Sequence, residues 1–210
     1  MNEIKARAEQ LRAQMKAHGI DAYIVPTSDF HETEYVCDHF KAREYMSGFT
    51  GSAGTWVFTA DAAKLWTDGR YFIQAAKQLE GSGIELMRMG DEGVPTIEAY
   101  LREALPAHAT LGFDGRVMNT AMVERLCAQL NEVTISCDMD LVGAIWQDRP
   151  ALPASKTFEL ALRYTGKSAA QKLSEVREAM AEAGTDIHII TRVDDIAWLL
   201  NMRADDIPCF

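Results

Sequence analysis

The chain has 210 residues, with 21 basic and 31 acidic side chains and a formal charge of −10. Hydrophobic residues make up 48% and charged residues 25%, which excludes a disordered or fibrous polypeptide. The acidity, and the lack of any Lys/Arg cluster, speak against nucleic acid or an anionic membrane as partner.

No stretch reaches the roughly 18 uninterrupted apolar residues of a membrane span. The first residues, Met1-Asn2-Glu3-Ile4-Lys5, lack the apolar core of a signal peptide. Cytoplasm is therefore the expected location. Cys37, Cys127, Cys137 and Cys209 form no C-x-x-C pair, so they carry no zinc or thioredoxin signal. They read as buried small apolar residues in a reducing compartment.

In chain order, Ile4, Ala8, Leu11 and Met15 fall on one helical face, and Gly19 stops the helix. Residues 22–25 read as a buried strand ended by Pro26. A polar loop, 27–34, a short helix over 41–46 and a glycine segment, 47–54, follow. Residues 55–59 and 64–67 read as a β-hairpin. Arg70–Leu79 suits a helix and Ile84–Met89 a strand. Pro95-Thr96 opens a helix through Leu105, because proline is tolerated in a first turn. A strand at 111–113, a helix at 120–130 and a strand at 133–136 complete the series. Strand and helix interleave, so the expected fold is α/β with a mixed sheet.

Asp148-Arg149-Pro150-Ala151-Leu152-Pro153 is extended because each proline pushes its predecessor out of the helical region. The expected organisation is a domain over 1–150, a linker over 151–166 and the start of a second domain over 167–210. Residues 1–150 hold 14 basic and 22 acidic side chains, a charge of −8, so the acidity belongs mainly to the first unit. Residues 12–25, RAQMKAHGIDAYIV, match residues 177–190, REAMAEAGTDIHII, at a constant offset of 165. Each copy reads as an amphipathic helix, a glycine cap and a buried strand. Trp198, Leu199, Leu200 and Phe210 need more core than the last 45 or so residues supply, a length well short of a typical domain. The chain is thus expected to be a fragment of a longer protein.

Several chemical motifs fail on inspection. The glycine segment lacks the order G-x-G-x-x-G and a following lysine. Ser52 lies in Thr-Gly-Ser-Ala-Gly, not G-x-S-x-G. His31-Glu32-Thr33-Glu34 lacks the second histidine of H-E-x-x-H. Asp29, His31 and Glu34 share a loop and could converge on a ligand, or simply be solvated or capping. Asp194-Asp195 and Asp205-Asp206 read as helix-start and turn residues. The stronger candidate is Arg70. Asp68-Gly69 is a turn signal, and Arg70 then opens a helix where the dipole disfavours a cation. Its planar donor fork suits a carboxylate or carbonyl. A surface salt bridge to Asp68 or Glu34 explains the same residue equally well.

TSDFHETEY (27–35), SGFTGSAGT (47–55), WTDGRYFIQAAKQ (66–78), IWQDRP (145–150) and DDIAWLLNMR (194–203) together resemble the N-terminal part of cytosolic-type Xaa-Pro aminopeptidases. The resemblance spans nearly the whole chain. It implies two related ribonuclease-H-like α/β domains, the second truncated here, which agrees with the repeat. It also implies a pita-bread catalytic domain absent from this chain. That domain would hold two divalent metal ions, usually manganese, on two Asp, one His and two Glu. None of these ligands can be mapped here, so no catalytic residue, metal site or cofactor is expected in the chain itself. The implied reaction releases the N-terminal residue from peptides with proline second, by attack of a metal-bridging hydroxide on the carbonyl before proline. The family's W-T-D-G-R-Y arginine, which contacts the peptide, matches Arg70. His31, Asp29 and Glu34 are weaker substrate-binding candidates. The chain would cover the cleft and would be inactive alone. Peptides are the expected partners, and family members often form homodimers. The rival reading is the N-terminal domain of a non-catalytic pita-bread protein that only binds peptides.

Overall fold

The structure is a computed structural model that describes residues 2–207. It divides into two compact units, Met1–Ala151 and Leu152–Phe210.

The first unit is built on a six-stranded sheet. Its strands are β1 (Ala22–Pro26), β2 (Thr55–Thr59), β3 (Ala63–Thr67), β4 (Glu85–Arg88), β5 (Thr110–Phe113) and β6 (Thr134–Ser136). Their spatial order is β4-β3-β2-β1-β5-β6. β1 pairs parallel with β5, β5 with β6, and β3 with β4. β2 alone runs antiparallel to both neighbours. The carboxyl ends of β1, β3 and β5 therefore open on one edge, where the chain also enters β2.

Alternation along the strands sorts side chains to two faces. Tyr23, Val25, Trp56, Phe58 and Leu65 face one core. That core is closed by α1 (Asn2–His18), α2 (Ala42–Ser47), α3 (Phe72–Leu79) and α6 (Leu141–Ile145). Ala22, Ile24, Val57, Trp66, Leu111 and Phe113 face the other, closed by α4 (Ile97–Ala104) and α5 (Thr120–Gln129). Both faces are covered, as parallel strands require.

Three local expectations are corrected. Arg70 does not open α3. The Asp68 carboxylate accepts the Arg70 backbone N–H at 3.0 Å, which holds a turn, and the helix starts only at Phe72. Pro95 lies outside α4, whose N-cap is Thr96, with its hydroxyl accepting Ala99 N–H at 3.2 Å. Among the described residues no cysteine is buried. Cys127 and Cys137 are exposed and Cys37 is intermediate, because α5 turns Leu126 inward and β6 is an edge strand. Cys209 and Phe210 lie outside the described residues.

The second unit holds β7 (Phe158–Glu159), α7 (Leu162–Thr165), α8 (Ala169–Glu182), α9 (Val193–Leu200) and β8 (Met202–Arg203). β7 pairs with β8, so the stretch read as a linker carries structure of its own. The helix and glycine of the internal repeat are reproduced closely. Gly19 and Gly184 take φ of 67° and 63°. Ile20 N–H donates to Met15 and Thr185 N–H to Met180, at 2.9 and 2.8 Å. These bonds form the same helix-ending motif in each copy. The second strand is not reproduced. Ile187 and Ile189 are 76% and 79% exposed, and no strand forms over 186–190. β1 takes its partners from β2 and β5. Among the described residues, 186–190 has no strand partner of that kind.

Candidate functional site: a pinned glycine loop and an arginine fork

Three loops meet at the open sheet edge. One follows β1, one follows β3, and the glycine segment leads into β2. Arg43 on α2 organises the last of these. Its side chain is 4% exposed. Nε donates to Thr27 Oγ1 at 2.8 Å, and the two Nη groups donate to the carbonyls of Phe49 and Gly51. Among the described residues no carboxylate pairs with it, and burial pushes its guanidinium pKa down to about 10. Thr27 completes the pin through its N–H and hydroxyl, both donating to Gly54 O. Thr67 Oγ1 donates to Ala53 O at 2.7 Å.

The loop is also tied to α3. Gln74 and Gln78, one helical turn apart, both donate to Thr50 Oγ1 at 2.9 Å, and Gln78 accepts Thr50 N–H at 3.0 Å. Ser52 and Tyr71 share a hydroxyl–hydroxyl bond of 2.7 Å. Gly51 must be glycine, because a Cβ there would lie 2.7 Å from Tyr71 Cδ1 and also strike the Phe49 ring.

Arg70 stands beside this loop with its side chain 66% exposed. Nε and one Nη donate to the two Asp68 oxygens, both at 2.9 Å. This pairing holds Asp68 below the usual carboxylate range and raises Arg70, with Glu34 adding a weaker raising effect. The other Nη has no acceptor in the protein among the described residues. The result is a fixed guanidinium with outward donors, suited to a carbonyl or carboxylate oxygen.

The other loop candidates are distributed differently. Asp29 is 4% exposed. Its carboxylate accepts His31 N–H at 2.8 Å, Thr33 N–H at 3.1 Å and the Thr33 hydroxyl, so it shapes its own loop. His31 and Glu34 are exposed, and neither side chain joins Asp29. Among the described residues no three His, Cys, Asp or Glu side chains converge to hold a metal ion.

A second Asp-Gly-Arg went unnoticed in the sequence. Asp114-Gly115-Arg116 follows β5 as Asp68-Gly69-Arg70 follows β3. Arg116 donates to Asp114 at 2.9 and 2.8 Å, and its backbone N–H repeats the 3.0 Å turn bond. The shared tripeptide after two strands was the available signal. The two differ in charge balance. Arg116 also reaches Asp140 at 3.2 Å, so two carboxylates share it, whereas among the described residues Arg70 pairs with Asp68 alone.

Comparison with known proteins agrees with this architecture. The Creatinase/Prolidase N-terminal domain model matches residues 7–144, and a second model of the same description matches 148–210. Aminopeptidase P2 of Arabidopsis thaliana is 42% identical over 195 residues, covering 90% of this chain and 27% of its own. Xaa-Pro aminopeptidase 1 of Dictyostelium discoideum is 39% identical, covering 97% of this chain and 34% of its own. The crystal structure of an X-prolyl aminopeptidase from Caenorhabditis elegans, described as a cytosolic enzyme with a di-nuclear active site, superposes with a TM-score of 0.86. It is 30% identical, over 98% of this chain and 35% of that one. A Streptococcus pyogenes structure at 22% identity and a TM-score of 0.53 shares the fold. The chain spans about a third of the length of the curated relatives it matches. With one family description covering both units, and the sheet and repeat behind it, the chain belongs to the creatinase/prolidase N-terminal domain family.

Proposed function

We propose that this chain is the N-terminal, non-catalytic part of a metal-dependent Xaa-Pro aminopeptidase. Its role there is to cover the active-site cleft and to present Arg70 to the peptide. The observation that carries the reading is the Arg70 fork, fixed by Asp68 beside a glycine loop that Arg43, Gln74 and Gln78 hold in place. A guanidinium oriented in advance loses little freedom when it meets a peptide carbonyl. Glu34, near enough to Arg70 to be felt electrostatically, and His31 on the same loop are secondary contacts in this proposal. Asp29 holds that loop rather than the peptide. The names of the matched relatives support the peptidase reading over a non-catalytic peptide binder.

The finer assignments belong to the same proposal. The intact enzyme works in the cytoplasm, as the C. elegans enzyme is described, and its metal pair is manganese, held by another domain. It acts as a homodimer on peptides that begin Xaa-Pro. The charge of −10 supports peptides over nucleic acid as partners.

The test has two arms. The purified 210-residue chain, supplied with manganese, is expected to release no residue from an Xaa-Pro peptide. In the intact enzyme Arg70→Ala is expected to lower kcat/KM by roughly 10- to 100-fold, the worth of a charge-assisted hydrogen bond, with metal content unchanged. Activity of the chain alone, or an unchanged kcat/KM, would refute the corresponding half of the proposal.

A further inference from the structure

The Arg70 fork is held only in part by its carboxylate. The pair lies at the surface, with the Arg70 side chain 66% exposed and that of Asp68 37%. Exposed ion pairs bind weakly, because water competes and two side chains must be kept still. A fork that meets its ligand in one orientation needs a second support.

Tyr71 supplies one. The Arg70 guanidinium carbon lies 5.2 Å from the centre of the Tyr71 ring, within cation–π range. The ring packs against the bare backbone of Gly51 and stands edge-on to the buried Phe49 ring, at 5.9 Å and 80°. Arg43 in turn lies over Phe49 at 4.7 Å. Arg43, Phe49, Tyr71 and Arg70 thus form one series of cation and ring contacts from the core to the surface. The Tyr71 hydroxyl strengthens it by sharing a 2.7 Å bond with Ser52 on the same loop.

Tyr71 breaks a local rule to do this. It is the N-cap residue of α3, a position where a short polar side chain normally accepts a backbone N–H of the first turn. Thr96, Asn119 and Ser168 do so at α4, α5 and α8. Tyr71 makes no such bond, and its hydroxyl goes to the glycine loop instead. Capping is given up where one ring meets both the loop and Arg70.

We propose that Tyr71 is the positioning residue of the Arg70 fork. Its ring supports the guanidinium, and its bond to Ser52 ties that support to the loop pinned by Arg43. The proposal rests on the reading of Arg70 as a peptide contact. Tyr71 touches no substrate in it and acts through Arg70 alone.

Two measurements test it. In the 15N-labelled chain, relaxation at the Arg70 Nε–H reports the order of the fork, and Arg70→Ala assigns that signal by its disappearance. Tyr71→Phe keeps the ring and loses the hydroxyl, and Ser52→Ala removes the partner from the other side. Both are expected to lower the Nε order parameter. In the intact enzyme each is expected to lower kcat/KM for an Xaa-Pro peptide by roughly 2- to 10-fold, the worth of one hydrogen bond, and the double variant to lose no more than either single one. Tyr71→Leu, which removes the ring, is expected to approach the loss seen in Arg70→Ala. In an Arg70→Ala background it is expected to change kcat/KM by under about twofold, because no fork is left to position. An Nε order parameter unchanged in both Tyr71→Phe and Ser52→Ala overturns the proposal. So does a Tyr71→Leu loss as large without Arg70 as with it, which marks a merely structural role. If Tyr71→Leu does not fold, Tyr71→Phe takes its place in the same comparison. If Arg70→Ala leaves kcat/KM unchanged, it is the peptide contact that fails, and the Nε relaxation alone judges the hold on Arg70.

Discussion

Arg43 shows how a single buried charge can be retained without a counter-ion. Its cation is 4% exposed and, among the described residues, meets only neutral acceptors: Thr27 Oγ1, Phe49 O and Gly51 O. The Phe49 ring adds a cation–π contact at 4.7 Å. The carbonyls of the glycine loop need donors once buried, and a planar fork supplies several from one side chain. Arg43→Met is expected to destabilise the chain by about 2–4 kcal/mol, because two carbonyls lose their donors together. Denaturant unfolding reads this directly. If Arg43 mattered only through packing, Met would cost under about 1.5 kcal/mol, the range of a volume-conserving swap. The glycine loop is legible in the sequence, but the arginine that sets it is not. Nothing in the one-dimensional spacing says that residue 43 returns to residues 49 and 51.

Helices and strands were the most legible level. The hairpin pairs Thr55 with Trp66 and Phe58 with Ala63, where alternation and the intervening polar residues predict it. α1 carries Leu11 and Met15 to the core and ends at Gly19. A φ of 67° suits glycine, and a Cβ there would meet no atom within 4 Å, so the cost of substitution is conformational alone. Gly19→Ala is expected to cost about 1 kcal/mol and Gly19→Asn less, by thermal or chemical unfolding. An equal loss for both would assign the effect to lost contacts instead. Element ends were misread where a side chain took over the backbone: Asp68 delays α3, and Thr96 caps α4 one residue past Pro95. In the second unit α9 ends at Asn201, with φ of 54°. Lys172 from α8 donates to Trp198 O at 2.7 Å and Asn201 Oδ1 at 2.8 Å. That lysine is 2% exposed, which its place in a charged helical sequence does not suggest.

Tyr23 acts at the scale of the whole first unit. Its hydroxyl donates to Met139 O at 2.6 Å and accepts Leu141 N–H at 3.1 Å, which fastens the start of α6 to β1 across more than 110 residues. Burial raises its pKa well above the ordinary tyrosine value. The folded form therefore keeps a proton that the unfolded chain releases above pH of about 10. The stability this confers is complete below that pH and declines as pH rises, at about 1.4 kcal/mol per unit. Unfolding free energies of the wild type and Tyr23→Phe, measured from pH 8 to 11, are expected to show that slope in their difference. Parallel curves would mean that Tyr23 ionises equally in both states.

Composition, periodicity and turn residues by themselves determined the α/β class, most elements, the internal repeat and the family resemblance, and they singled out Arg70 as a candidate. These are local properties, set by which residues share a face and where the backbone can turn. The tertiary structure decided what is built from residues distant in the chain. It set the β4-β3-β2-β1-β5-β6 order, the pin from Arg43 and the closure by Tyr23. It turned Asp29 into its own loop, exposed Cys127 and Cys137 on outer faces, and left the second repeat's strand unpaired. Hydrogen-bond satisfaction and burial are properties of surroundings, and surroundings exist only once the chain has folded.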